Sequence, residues 1–278
     1  MFDFLKKKPV LDASKFPHVF AELSNVPVSI NNNEYLKFVS ALEDKTFKGE
    51  IDDVEISSLL PQPYTTDGGI RVIPIQGCLL SSATIFEKLS GCVGCDDIRK
   101  WYDEALVADN VTGIVFDCSS GGGSVKGIQV LAEHIAANKD KKPTCAYVGD
   151  VAASACYYLI ASLPIYIRPC GEVGSIDMVM TLEDLSEMYS KAGIKVTRLT
   201  TSQFKGEIAG DGPFSEEFIS ELQKRVNTLA ERFRNHVSAY RPNVNREAAF
   251  NGMDYLDEEA IRYGLADYLV NDISEIWG

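Results

Sequence analysis

Histidine is scarce in this chain of 278 residues: only His18, His134 and His236 carry imidazole, and they lie far apart. Three scattered imidazoles exclude a multi-histidine metal centre and leave few candidates for a catalytic base of that type. Long apolar runs are also missing. No stretch approaches the ~18–20 residues that cross a bilayer. The lysines near the N-terminus lack the apolar core of a secretory signal behind them. A soluble, cytoplasmic protein without a transmembrane anchor is therefore expected. Positive charge is in deficit, with 27 Lys and Arg against 40 Asp and Glu and a formal net charge of -13. That balance opposes binding to nucleic acid through phosphate neutralisation. The cysteines are Cys78, Cys92, Cys95, Cys118, Cys145, Cys156 and Cys170, an odd number. Without a signal segment they are expected as free thiols. Cys92 and Cys95 form a single CxxC with no second pair or well-placed His, so a turn before a helix is preferred to a metal or redox site.

What is present is a globular composition, 45% hydrophobic and 24% charged, in a chain long enough for a full core. Residues 1–66 differ from the rest. Pro9, Pro17, Pro27, Pro61 and Pro63 punctuate them. Within Glu34–Thr46, Tyr35, Phe38, Val39 and Leu42 recur at helical spacing. This region reads as an N-terminal extension with one helix and a linker. The turn-rich Pro61–Gly69 marks a boundary before a second domain over 67–278.

From Ile70 onward strands and helices alternate. Strands are expected at Ile70–Leu80, Val111–Cys118, Thr144–Val148, Ile165–Arg168 and Lys195–Thr200. Helices are expected at Cys95–Ala108, Val125–Asn138, Ala152–Ser162, Leu182–Ala192 and Ser215–Tyr240, with short ones at Arg246–Asn251 and Asp257–Tyr263. Such alternation implies right-handed βαβ units, an α/β fold with a mainly parallel sheet flanked by helices.

Three local features carry chemistry. Asp117–Ser124 (DCSSGGGS) follows a strand and precedes a helix. Its glycines permit close backbone approach, and N–H groups beside a helix start suit a developing anion. It is not a P-loop, because GK[ST] is absent. A flexible turn is the plain alternative. The second feature is Gly149–Tyr158 (GDVAASACYY), where small residues surround Ser154 as a helix begins. Small neighbours admit a substrate backbone, and the Ala155 N–H is placed to stabilise an oxyanion. For an isolated serine, packing or helix capping is the commoner role. The third is Lys205, in TTSQFKG at the end of the last expected strand. An isolated lysine is a solvated charge. Beside Ser154 in a desolvated site its pKa would fall, and the neutral amine would accept the serine proton.

Taken together these stretches resemble the signal peptide peptidase A family of serine–lysine proteases, which shares its fold with Clp proteases and crotonases. The matching segments are VIPIQG around 73–77, SSGGGS, VAASACYYLIAS, GEVGSI, SQFKGE and the closing MDYLDEEAIRYGLADYL. Their order and spacing match over roughly Ile70 to Asp272, with Gly252 and Gly264 falling in the family's C-terminal pattern. The resemblance implies a Clp/crotonase-like fold of repeated ββα units and makes 67–278 the peptidase domain. It assigns Ser154 as nucleophile and Lys205 as general base. Gly121 and Gly122 with the Ala155 N–H become the oxyanion hole, and Ser175 orients the lysine. No cofactor and no metal are implied. The chain departs from the family at Ser120, where proline is usual, and at Ala155 and Cys156, where glycines are usual.

The resemblance further implies a polypeptide substrate and a homo-oligomeric ring. Soluble members of this size resemble head-maturation proteases of tailed phages, which digest scaffold and sometimes themselves within the procapsid. Three other readings stand beside this one: a soluble cellular signal-peptide-peptidase-like protease, a crotonase-like acyl-CoA enzyme, and a non-catalytic scaffold. A crotonase would leave Ser154 and Lys205 without a role. A Ser-His-Asp triad needs a histidine some ~25 residues after the serine, and Arg168–Glu183 contains none.

Overall fold

The computed structural model describes residues 60–84, 87–88, 90–208 and 212–277. The helix expected at Glu34–Thr46 lies outside them. The strands are β1 (Tyr64–Thr65), β2 (Ile70–Leu80), β3 (Cys92–Gly94), β4 (Gly113–Gly123), β5 (Thr144–Ala153), β6 (Ile165–Ile167), β7 (Glu172–Gly174), β8 (Asp254–Leu256) and β9 (Tyr268–Leu269). The longer helices are α1 (Cys95–Val107), α2 (Ile128–Asn138) and α6 (Glu216–Tyr240), and the six-residue α3 (Ala155–Ile160) follows β5. Short helices complete the set: α4 (Ser186–Lys191), α5 (Gln203–Glu207), α7 (Arg246–Ala249) and α8 (Asp257–Arg262).

The expected α/β architecture with a mainly parallel sheet is present. Ile114, Val115, Phe116 and Cys118 of β4 are all buried, so the strand reads as a continuous apolar run covered on both faces. Apart from the antiparallel pairs β1–β2 and β7–β8, the strands run parallel. Three long strands shift register at one level: β2 between Gln76 and Cys78, β4 between Cys118 and Ser120, and β5 after Val148. Before the shift β5 pairs with β6, through Ala146–Val148; beyond it β5 pairs with β7, through Val151–Ala153. The order is thus β1-β2-β4-β5-β6-β9 on one side of the shift and β3-β2-β4-β5-β7-β8 on the other.

Helices cover the main face of this sheet. α1 buries Cys95, Ile98, Tyr102 and Ala105, one stripe at helical spacing, and α2 buries Ile128, Leu131, Ala132 and Ile135. α3 is buried on every side. α6 starts at Ser215, whose hydroxyl accepts the Phe218 N–H at 3.1 Å. Its C-terminal half lays Phe233 against Tyr158 of α3, with ring centroids 5.1 Å apart. On the opposite face Val115, Cys145 and Tyr147 pack under Ile273 and Ile276 of the C-terminal turn. Buried Arg241 ties this end together, pairing with Asp267 at 2.7 Å and donating to the Leu163 carbonyl at 3.1 Å.

Some expectations are corrected. Lys195–Thr200 is not a strand; it has no regular structure and Leu199 is 96% exposed. Its β-branched pattern suits a strand, but no described sheet edge lies beside it to complete the ladder. The helix expected over Leu182–Ala192 is confined to α4. From Asp177 to Ile208 no described residue is buried, so this arm lacks the packing that would extend its elements. Conversely, β4 and β5 outrun their expected ends: the glycine run is strand rather than turn, and β5 continues to the residue before Ser154. The CxxC spans β3 and the first residue of α1, and none of the seven cysteines is disulfide-bonded.

Phe116 is fully buried at the centre of the sheet. Phe116→Ala is expected to lower unfolding free energy by about 3–5 kcal/mol, read from urea denaturation midpoints at unchanged slope.

Candidate active site

Ser154 stands between the end of β5 and the start of α3 with φ 51° and ψ -115°. A residue with a side chain is strained there, by about 1–3 kcal/mol, unless its surroundings hold it. Two hydrogen bonds do so. The Ser154 N–H donates to the Gly174 carbonyl at 2.9 Å, and the Ser154 carbonyl accepts the Tyr158 N–H at 2.9 Å. The first locks the strand end onto β7; the second starts the helix. Ser154 is only 2% exposed, yet its hydroxyl caps nothing, forms no hydrogen bond with a described residue and is not sealed from solvent. The helix-cap role is therefore ruled out, and the oxygen is left available. Ala152, Ala153 and Ala155 crowd the junction with small side chains only. The Ala155 N–H lies in the first turn of α3, where N–H groups have no intrahelical partner.

The glycine run lies one strand away. Gly122 and Gly123 pair with Cys78 and Leu79 of β2, and Ser120 pairs with Ala152 of β5, two residues before Ser154. A Cβ on Gly123 would collide with the Leu79 carbonyl oxygen, so only glycine permits this approach. Gly122 has φ 104°, a conformation that favours glycine. Its N–H donates to Ser120 Oγ at 3.2 Å, and that hydroxyl donates to the Gly77 carbonyl at 2.5 Å. Gly121, Gly122, Ser154 and Ala155 thus converge at the ends of adjacent parallel strands.

Ser175 follows β7 directly, with φ 52°, and its N–H donates to the Met253 carbonyl at 2.9 Å. It neighbours Gly174, whose carbonyl holds the Ser154 backbone. Lys205 is placed differently. It lies on α5 rather than at a strand end, it is exposed, and its ammonium makes no hydrogen bond or ion pair with a described residue. The structure therefore gathers Ser154, Gly121, Gly122, Ala155 and Ser175 and leaves Lys205 on the unpacked arm.

The histidines have other employment. The His236 ring stacks on Tyr158 with centroids 3.9 Å apart, and its Nε2 lies 3.0 Å from the Tyr158 carbonyl. His134 pairs with Asp103 on α1 at 2.5 Å. Neither bonds to Ser154. The thiols near the site are inert: Cys118 and Cys156 are fully buried, and mutual contact with burial pushes the Cys118 thiol well above its ordinary range. Among the described residues no cluster of His, Cys, Asp and Glu is able to hold a metal ion, and no helix is long and apolar enough to cross a membrane.

Two elements of the site escaped the sequence reading. The Gly174 carbonyl is a backbone group and leaves no side-chain signature; the GEVGS motif was its only trace. Ser120 stood out only as a departure from a family pattern, not as a bridge between strands.

Residues 136–273 match the model of peptidase family S49, a stretch that holds Ser154, Ser175 and Lys205 and begins after the glycine run. The chain is 29% identical to capsid assembly protease C of Escherichia phage lambda over 219 residues, 77% of this chain and 49% of that protein. It is 28% identical to Protease 4 of Salmonella typhi over 216 residues, 76% of this chain and 34% of that protein. The chain thus spans about half the length of the first relative and a third of the second. Among solved structures, a variant of the 1510-N membrane-bound stomatin-specific protease overlays 66% of this chain and 73% of that one, with a TM-score of 0.42 and 16% identity.

Burial holds the His236 pKa below its ordinary 6.5. The unfolded chain therefore takes up this proton first, and stability present above about pH 6.5 is lost as pH falls through the folded value. His236→Gln is expected to flatten the decline in melting temperature between pH 7 and pH 5. An equally steep decline in that variant would exclude His236 as its source.

Proposed function

We propose that this chain, whose residues 136–273 match the model of peptidase family S49, is a serine endopeptidase with Ser154 as nucleophile and Lys205 as general base. The observation that carries the reading is the Ser154 junction. A strained serine with an uncommitted hydroxyl lies between small residues, one strand from a glycine run. A structural serine would use its hydroxyl to cap α3 or to satisfy a neighbour, and Ser154 does neither.

In the proposed reaction neutral Lys205 takes the Ser154 proton as Oγ attacks a peptide carbonyl. The tetrahedral oxyanion is received by N–H groups of the glycine run, Gly121 or Gly122, and of Ala155. The leaving amine takes the proton from the Lys205 ammonium, and water then hydrolyses the ester on Ser154. Ser175, on the same wall as Ser154, orients the amine. Each step uses groups of this chain and water alone.

Lys205 must reach Ser154 and lose water to act as a base. Its arm carries Val179, Ile194, Val196 and Leu199 exposed, apolar surface that a packed assembly would cover. A second subunit seated on the arm closes Lys205 onto the site, which fits a homo-oligomeric ring with enclosed active sites. The peptidase domain spans 67–278 and residues 1–66 form an extension, with Tyr64–Thr65 already paired to β2. The likeness to the lambda capsid assembly protease supports a head-maturation role in a procapsid, digesting scaffold and the protease itself. The likeness to Protease 4 supports a second reading, a cellular peptidase of the signal-peptide-peptidase type.

Cleavage of casein or of scaffold protein should vanish in Ser154→Ala and in Lys205→Ala, with the fold kept in both. His236→Ala should stay near normal at neutral pH. Full activity in Ser154→Ala would remove the nucleophile assignment, and loss confined to the His236 variant would restore a histidine base.

A further inference from the structure

We infer that Ser120 is a positioning residue that aims the Gly122 peptide for the developing oxyanion, an inference that rests on the Ser154 reading above. Ser120 is 1% exposed, and a hydroxyl so buried must find partners. It finds two, on different strands. It donates to the Gly77 carbonyl of β2 at 2.5 Å and accepts the Gly122 N–H of its own strand at 3.2 Å. Both glycines have left-handed φ, 75° at Gly77 and 104° at Gly122. Gly77 lies within the register shift of β2, and Gly122 lies just past that of β4. One hydroxyl therefore joins two glycine backbones of left-handed φ at the level where the sheet bends.

The third strand enters through register. Ser120 is the residue of β4 that pairs with Ala152, and β5 ends two residues later at Ser154. Ser120 thus lies between the β2 bend and the nucleophile strand while holding the glycine run by its N–H. Without the hydroxyl, Gly122 has neither a Cβ nor a side-chain bond to limit rotation of its peptide. The bond to Gly122 is the longer of the two, so it is the one an oxyanion can displace. Ser120 keeps this donor occupied and aimed in the resting site, and the transition state then takes it over. Such preorganisation acts on charge that appears in the transition state, not on ground-state binding.

The test compares Ser120→Ala and Ser120→Thr with the unaltered chain. Three quantities are read: kcat and KM on a fluorogenic peptide, inhibition by a peptide aldehyde that forms a tetrahedral oxyanion on serine, and melting temperature. In Ser120→Ala, kcat is expected to fall at least tenfold, up to the roughly hundredfold cost of losing one oxyanion donor. KM should stay within about twofold, and aldehyde affinity should fall by the same factor as kcat. Ser120→Thr, which keeps the hydroxyl, should retain most of kcat. A Ser120→Ala chain that folds and keeps both kcat and aldehyde affinity overturns the inference alone. Equal losses in kcat and melting temperature shared by the Thr variant overturn it in favour of a packing role. An unaltered chain that cleaves nothing overturns the protease reading and the inference with it.

Discussion

Three parallel strands bending at one level are the constraint on which the rest of the structure depends. β2, β4 and β5 lie under helices before the bend and spread into a second set of pairings beyond it. The change of partner by β5, from β6 to β7, carries its end past the packed core and up to the Gly174 carbonyl. That anchor, with the Tyr158 N–H on the Ser154 carbonyl, lets a serine hold φ 51° while a helix starts on its far side. The same bend brings the glycine run alongside, with Gly123 against the Leu79 backbone. Site and fold are therefore one piece of geometry. Strain at Ser154 is offset by the apolar burial of α1, α2 and α3, whose side chains fix the strands that meet there.

The two halves of the proposed dyad live in different mechanical surroundings. Ser154 is buried, with Ala152, Ala155 and Cys156 of the hydrophobic core beside it. Lys205 sits on an arm without a buried described residue. A lysine in water is protonated and no base; its amine becomes useful only where the charged form loses solvation. In the proposed mechanism that desolvation comes from closure of the arm, which would also bury its exposed valine, isoleucine and leucine side chains. In the proposed reading assembly and activation are therefore a single event.

Much of the fold was legible in the sequence because its signals are local. The apolar run of β4, the stripes of α1 and α2 and the Ser215 cap each announce themselves within a dozen residues. The failures share one physical cause, dependence on a distant partner. Lys195–Thr200 has the composition of a strand but no edge to join. The glycine run looks like a turn, yet it is strand because β2 lies close enough to pair with it. At the site, the small residues around Ser154 were readable, whereas the carbonyl of Gly174 was not, since a backbone group has no letter of its own. The Ser120 bridge was hidden for a similar reason, as its partners are two backbone atoms, one of them on another strand.

The match of residues 136–273 to the peptidase family S49 model and the geometry of the site meet in the proposal that Ser154 is an activated nucleophile. The most direct measurement is the mass-spectrometric mapping of a fluorophosphonate adduct on catalytically active protein. The predicted result is a single modification, on the peptide that carries Ser154, which stops cleavage in proportion to its extent. Active protein that remains unmodified at Ser154, or that is inhibited through an adduct on another residue, would contradict it.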